Sequence, residues 1–165
     1  MEKENVIGNE IAKDGSNADF SINEISVPID IFSSSASGLE SLSQYLKDVL
    51  GLRFCEIAGI LNRDDRTVWG AHKGAAEKNH LSNEAADSSI KIPISIFRDR
   101  SLSVLEALSE YLKECQNMRY CRIASLLNKD QRTIWTVYSR AKKKRRQRKQ
   151  EFAGLLIKTR RQNAN

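Results

Sequence analysis

The stretch Arg119-Tyr120-Cys121-Arg122-Ile123-Ala124-Ser125-Leu126-Leu127-Asn128-Lys129-Asp130-Gln131-Arg132-Thr133-Ile134-Trp135 decides the fold. It reads as two short helices joined by a polar turn. Tyr120, Ile123, Ala124 and Leu127 recur at helical steps and define the first helix. Ala124 is small where the two helices would cross, and Ile123 fills the core beneath them. Asn128 and Lys129 then break the apolar pattern. Asp130 is an N-cap residue whose carboxylate can accept amide hydrogens of the next turn and oppose the helix dipole. The second helix runs from Gln131 into a basic stretch, with Ile134, Val137 and Ala141 on its inward side.

Working outward, the same text occurs earlier in the chain. Arg53-Phe54-Cys55-Glu56-Ile57-Ala58 through Asn62-Arg63-Asp64-Asp65-Arg66-Thr67-Val68-Trp69 matches it block for block. Leu39 to Lys47 returns as Leu105 to Lys113, and Val27-Pro28-Ile29-Asp30-Ile31-Phe32 returns as Ile92-Pro93-Ile94-Ser95-Ile96-Phe97. The period of about 65 residues suits a duplicated small domain rather than a solenoid unit. Each copy is near the size at which a single core is marginal, so packing between copies, dimerisation or a ligand would help. Differences between the copies then become informative.

Each copy opens on an apolar strip around Pro28 or Pro93, where proline favours an extended arm over a helix interior. Serines follow (Ser33-Ser34-Ser35, or Ser101 and Ser103) and offer N-caps. Leu102, Leu105, Leu108, Tyr111 and Leu112 then predict a first helix ahead of the helix pair. No segment alternates beyond the short proline strips, so the expected fold class is all-α, with two tandem three-helix units. The expected organisation is a leader at residues 1–24, repeat one at 25–79 and a linker at 80–89. Repeat two with its basic helical extension follows at 90–150, then a tail at 151–165. In that tail Phe152, Leu155, Leu156 and Ile157 form an apolar island fit to extend the third helix, dock back or pair with a second copy. Gly154 weakens that continuity.

The 165 residues carry a net charge of +6, and its distribution says more than its sum. The start is acidic (Glu2, Glu4, Glu10, Asp14, Asp19, Glu24), whereas Arg140, Lys142, Lys143, Lys144, Arg145, Arg146, Arg148 and Lys149 follow almost without a break. Such a gradient is common where a basic stripe tracks phosphates. No signal peptide and no membrane-crossing apolar run is legible. The tail's four apolar residues are too few for a membrane-surface helix. The 3 cysteines, Cys55, Cys115 and Cys121, lack C-x-x-C spacing, which fits a reducing cytosol without metal sites. Cys55 and Cys121 are read as small packing residues, and His72 and His80 as unpaired. No phosphate loop and no nucleophile–base pair is legible, so neither an enzyme nor a cofactor is expected.

On the helix from Gln131, the side opposite Ile134 and Ala141 carries Arg132, Thr136, Ser139, Arg140 and Lys143. That face is polar and cationic, as a recognition helix in a major groove requires. The quoted stretch resembles the helix-turn-helix of bacterial sigma-factor C-terminal (region 4-like) domains, over about a third of the chain when both copies are counted. The resemblance implies that Gln131, Arg132, Thr136, Ser139 and Arg140 face DNA. A regulator built from sigma-like modules is favoured over a sigma factor. No region for the promoter element that melts is legible, and Arg53 and Arg119 stand where serine or threonine usually caps.

The expected function is sequence-specific duplex DNA binding in transcriptional regulation, in the cytoplasm at the nucleoid. The expected DNA-facing set is Gln131, Arg132, Thr136, Ser139, Arg140, Lys143, Lys144, Arg145 and Arg146, with Arg66 and Lys73 in copy one. Copy one has Gly70 for Thr136, Gly74 for Arg140 and Glu77 for Lys143, so it is read as a weak reader or a docking surface. Trp69 and Trp135 are expected to wedge between the third helix and the first, with contact to a thymine methyl or sugar as the other reading. Two rivals stand beside this: a nonspecific RNA or nucleoid binder, and an adaptor for RNA polymerase or another protein. A homodimer is a further candidate assembly.

Overall fold

The computed structural model describes residues 25–78 and 90–162, with side chains as far as Gly154. The expected leader and linker lie outside the described residues. The fold is all-α apart from one two-stranded sheet. Repeat one comprises β1 (Ser26–Pro28), a 3-10 turn (Ile29–Ser33), α1 (Gly38–Gln44), a π turn (Tyr45–Val49), α2 (Phe54–Leu61) and α3 (Asp65–Glu77). Repeat two comprises β2 (Lys91–Pro93), a 3-10 turn (Ile94–Arg98), α4 (Val104–Glu114), α5 (Tyr120–Leu126) and α6 (Gln131–Gln162).

Local chemistry accounts for the helix ends. Ser37 and Ser103 each close a reciprocal cap: the hydroxyl accepts the amide of Glu40 or Glu106 at 3.3 and 3.2 Å, and the serine amide donates back to that carboxylate at 2.8 Å. In repeat one the cap thus falls on Ser37 rather than on the expected Ser33–Ser35 cluster. Ser33 donates to the Asp30 carbonyl and Ser34 pairs with Ser41 instead. Leu102 belongs to no helix; it is buried one residue ahead of the α4 cap. Asn62 and Asn128 end α2 and α5 in the left-handed region (φ 51° and 48°), which asparagine tolerates better than most side chains. Asp130 takes the Arg132 amide at 2.6 Å, the expected capping bond. Asp64 makes no such bond to α3; its carboxylate takes the Arg100 guanidinium at 3.3 Å instead.

The two proline arms, read as separate extended strips, pair with each other. β1 and β2 are antiparallel in the register Ser26↔Pro93, Val27↔Ile92, Pro28↔Lys91. The Ile29 amide donates to the Ile90 carbonyl at 3.2 Å and the Ile94 amide to the Ile25 carbonyl at 2.9 Å. Each proline sits at a strand end, where its missing donor breaks little of the ladder. The arms also cross over. α2 packs on the 3-10 turn of repeat two, and α5 packs on that of repeat one.

Consequently the two repeats share one core, the packing between copies that their small size called for. Val27, Ile29, Phe32, Leu42, Leu46, Ile57 and Leu61 of repeat one join Ile92, Ile94, Phe97, Leu108, Leu112, Ile123 and Ile134 of repeat two in a single buried cluster. Pooling the apolar surface of two marginal units into one interior is the physical answer to their small size. α1 and α4 meet closely enough that a Cβ on Gly38 would lie 2.9 Å from Val104 Cγ1. The glycine is therefore required by the crossing. α6 runs unbroken through Gly154 to Gln162, so residues 151–162 belong to that helix rather than to a separate tail.

Candidate nucleic-acid interface

In the helix pairs α2/α3 and α5/α6, the second helix buries one side and leaves the other exposed. In α6 the inward positions Ile134 and Ala141 are fully buried, with Val137 partly so. At about 100° per residue, Arg132, Thr136, Ser139, Lys143 and Arg146 then fall on the opposite side. Arg132, Arg140, Lys143 and Arg146 are exposed and their side chains make no ion pair with any described residue. Gln131 is exposed at the helix start. Thr136 turns its hydroxyl onto the Arg132 carbonyl at 2.8 Å, and Ser139 is half-exposed between its neighbours.

Lys144 and Arg145 do not join that surface. Glu106, Glu110 and Glu114 lie at four-residue steps along α4, and the inward cations of α6 meet them. Lys144 binds Glu106 at 2.6 Å, Arg145 binds Glu110 at 2.9 Å and Asp99 at 3.0 Å, and Arg148 binds Asp99 at 2.6 Å. Lys142 binds Glu114 at 3.0 Å. About half of the basic run is thus neutralised by the chain's own acids, and the unpaired half faces solvent. Hydrogen bonding from Arg148, then from Ser101, holds the Asp99 carboxyl far below the usual carboxylate range. Burial opposes ionisation of Glu106, yet Lys144 and the Ser103 amide outweigh it and lower its pKa. Carboxyls depressed in the folded state contribute stability above their unfolded pKa and lose it as pH falls through the folded value.

The same network recurs in repeat one, which marks it as part of the scaffold. Lys78 binds Glu40 at 2.8 Å, as Lys144 binds Glu106. His72 meets Asp48 at 2.9 Å where Tyr138 meets Glu114. Edge-on rings repeat as Phe54–His72 and Tyr120–Tyr138, with Lys47 over the Phe54 ring of α2 and Lys113 over the Tyr120 ring of α5. Gly74, expected on the outward side, borders α1 instead: a Cβ there would lie 2.9 Å from Glu40 Oε1. Arg66 and Lys73 are exposed on the outward side of α3, with the Lys73 ammonium 5.6 Å from the Trp69 ring centre.

The tryptophans overturn their expected burial. Trp69 is 53% and Trp135 57% exposed, so neither wedges against a first helix. Each sits one turn after the exposed arginine of its own repeat, Arg66 or Arg132. Their pattern in the sequence equals that of a core tryptophan on an amphipathic flank; only the packing separates the two cases. Cys55, Cys115 and Cys121 are exposed thiols, so the packing role read for Cys55 and Cys121 does not hold. Among the described residues no helix is long and apolar enough to cross a membrane. Comparison with protein-family models, with curated proteins and with solved structures returned no match.

The split between free and paired cations makes a prediction. Lys143→Gln with Arg146→Gln is expected to flatten the salt dependence of duplex binding by roughly 0.9 per lost phosphate contact, without loss of stability. Lys144→Gln with Arg145→Gln is expected to leave that slope unchanged. It should cost about 1–3 kcal/mol of stability, because the largely buried Glu106 carboxylate loses its partner. Titrations at several salt concentrations and a urea melt of each pair read both effects. An equal slope change in the two pairs would mean that the α4 acids release their cations to DNA.

Proposed function

We propose that this chain is a sequence-specific duplex DNA-binding protein acting in transcriptional regulation through two helix-turn-helix modules of sigma region 4-like type. Repeat two supplies most of the affinity. The observation that carries this reading is the exposed surface of α6, where Arg132, Arg140, Lys143 and Arg146 stay unpaired, with exposed Trp135 beside Arg132. A chain that neutralises its inward cations and leaves the outward ones free has a surface suited to phosphates and base edges. The first turns of such a helix are the part that reaches base edges in a major groove. In repeat one the outward set is thinner, with Gly70 for Thr136 and Glu77 for Lys143, while Arg66 and Lys73 remain.

Selection of bound sequences from a random duplex library, using the full chain, tests the proposal. Enrichment of a defined sequence is the expected result. The rival is nonspecific binding to RNA or DNA, favoured by the same free cations. It predicts no enrichment, equal affinity for unrelated sequences and a steep salt dependence.

A further inference from the structure

The arms of the two repeats meet as across a local two-fold axis, with the central contacts answered by their equivalents. Residues 26, 27 and 28 correspond in the repeat to 91, 92 and 93, and the strand register pairs Ser26 with Pro93 and Pro28 with Lys91. Val27 and Ile92, equivalent to each other, face one another at the centre. The bonds from Ile29 to Ile90 and from Ile94 to Ile25 are the same bond made twice. Equivalent Phe32 and Phe97 meet at 5.6 Å between ring centres. The counterparts Arg63 and Lys129 each reach across to the segment ahead of the other repeat's capping serine, Arg63 to the Leu102 carbonyl at 3.1 Å and Lys129 to the non-equivalent Ser34 carbonyl at 3.0 Å. A single cleft is lined by the matching sets Ser37, Gly38, Arg63 and Ser103, Val104, Lys129. Contacts of i with j answered by j with i are the signature of an isologous interface, normally formed by two subunits and here built into one chain.

Resting on the DNA-binding reading above, we propose that one chain recognises an imperfect inverted repeat, one half-site per repeat, without dimerising. Two modules related by a two-fold axis meet a duplex in opposite senses, so their half-sites lie on opposite strands; a direct repeat would need a translation instead. The shared core fixes the spacing between the two reading helices. The halves are unequal because the outward residues are. Arg66 and Trp69 match Arg132 and Trp135, whereas Lys73 stands for Ser139 and Glu77 for Lys143. The matching pair gives the halves a common element, and the rest makes the half read by α3 the looser one.

The experiment uses the full chain and the sequences it selects. The expected motif is two inverted halves of unequal information, bound by one chain as counted by analytical ultracentrifugation. Inserting about five base pairs between the halves, half a helical turn, should reduce affinity to that of the stronger half alone. Arg66→Ala, at an exposed position outside the core, should relax only the weaker half and lower affinity roughly five- to 150-fold, the weight of one bidentate base contact. A direct repeat, a single half-site, indifference to the insertion or two chains per site would overturn the two-fold inference and leave the DNA reading standing. No enriched sequence at all would overturn both.

Discussion

Phe97→Ala is expected to destabilise the chain by about 3–5 kcal/mol and to loosen both repeats together. Phe97 is 2% exposed and packs on Phe32 of the other repeat, so the deletion opens a cavity where the two units share their interior. The lost aromatic pair adds to the transfer cost. Were each repeat an independent domain, damage in repeat two would leave the amides of repeat one protected. Urea unfolding followed by circular dichroism, with hydrogen exchange resolved by segment, distinguishes the cases. A single transition with parallel loss of protection at Val27 and Ile92 is the expected outcome. Persistent protection in repeat one would show that the common core is dispensable to it. For the same reason the two halves of the chain, cut apart, would each expose the arm and helix faces that the other covers.

The second large effect concerns DNA. The variant Arg132→Ala with Arg140→Ala is expected to lose most sequence discrimination while keeping residual, salt-sensitive binding. A bidentate arginine–guanine contact contributes roughly 1–3 kcal/mol of discrimination, so two such contacts would account for most of a specificity ratio. Both side chains are exposed and unpaired, so their truncation removes no internal contact and folding should be intact. The measurement is the ratio of Kd for the selected duplex to that for a scrambled one, in parent and variant, at one salt concentration. A ratio lowered to what the half read by α3 alone supports is expected. An unchanged ratio would move base reading off α6, and exposed Trp135 with Arg119 and Arg122 would be the next residues to test.

Much of the scaffold was legible from residue spacing. Ile123, Ala124, Ile134 and Ala141 recur at helical steps and are buried where those steps place them. Asp130 and Ser103 cap as their chemistry predicts, and Asn128 ends α5 as a left-handed residue can. Which cations stay free was legible only in part. Arg132, Arg140, Lys143 and Arg146 lie free, but Lys144 and Arg145 are held by α4. A signal for this was present: Glu106, Glu110 and Glu114 make a four-residue acidic row, and Lys144, Arg145 and Arg148 fall on the inward side of the third helix. Matching two helical faces before they are known to touch is the step that a one-dimensional reading lacks.

What the chain order determined by itself is the set of relations that reach only a few residues. Helix periods, caps, turns and the duplication are of this kind, because each depends on bonds between neighbours three or four positions apart. Tertiary structure decided which faces meet. It paired arms some 65 residues apart into one sheet, merged two marginal cores, neutralised half of a basic run and left two tryptophans in solvent. Periodicity shows that a face is apolar or charged. Only packing assigns it a partner, since burial and ion pairing are settled by distances across the fold rather than along the chain.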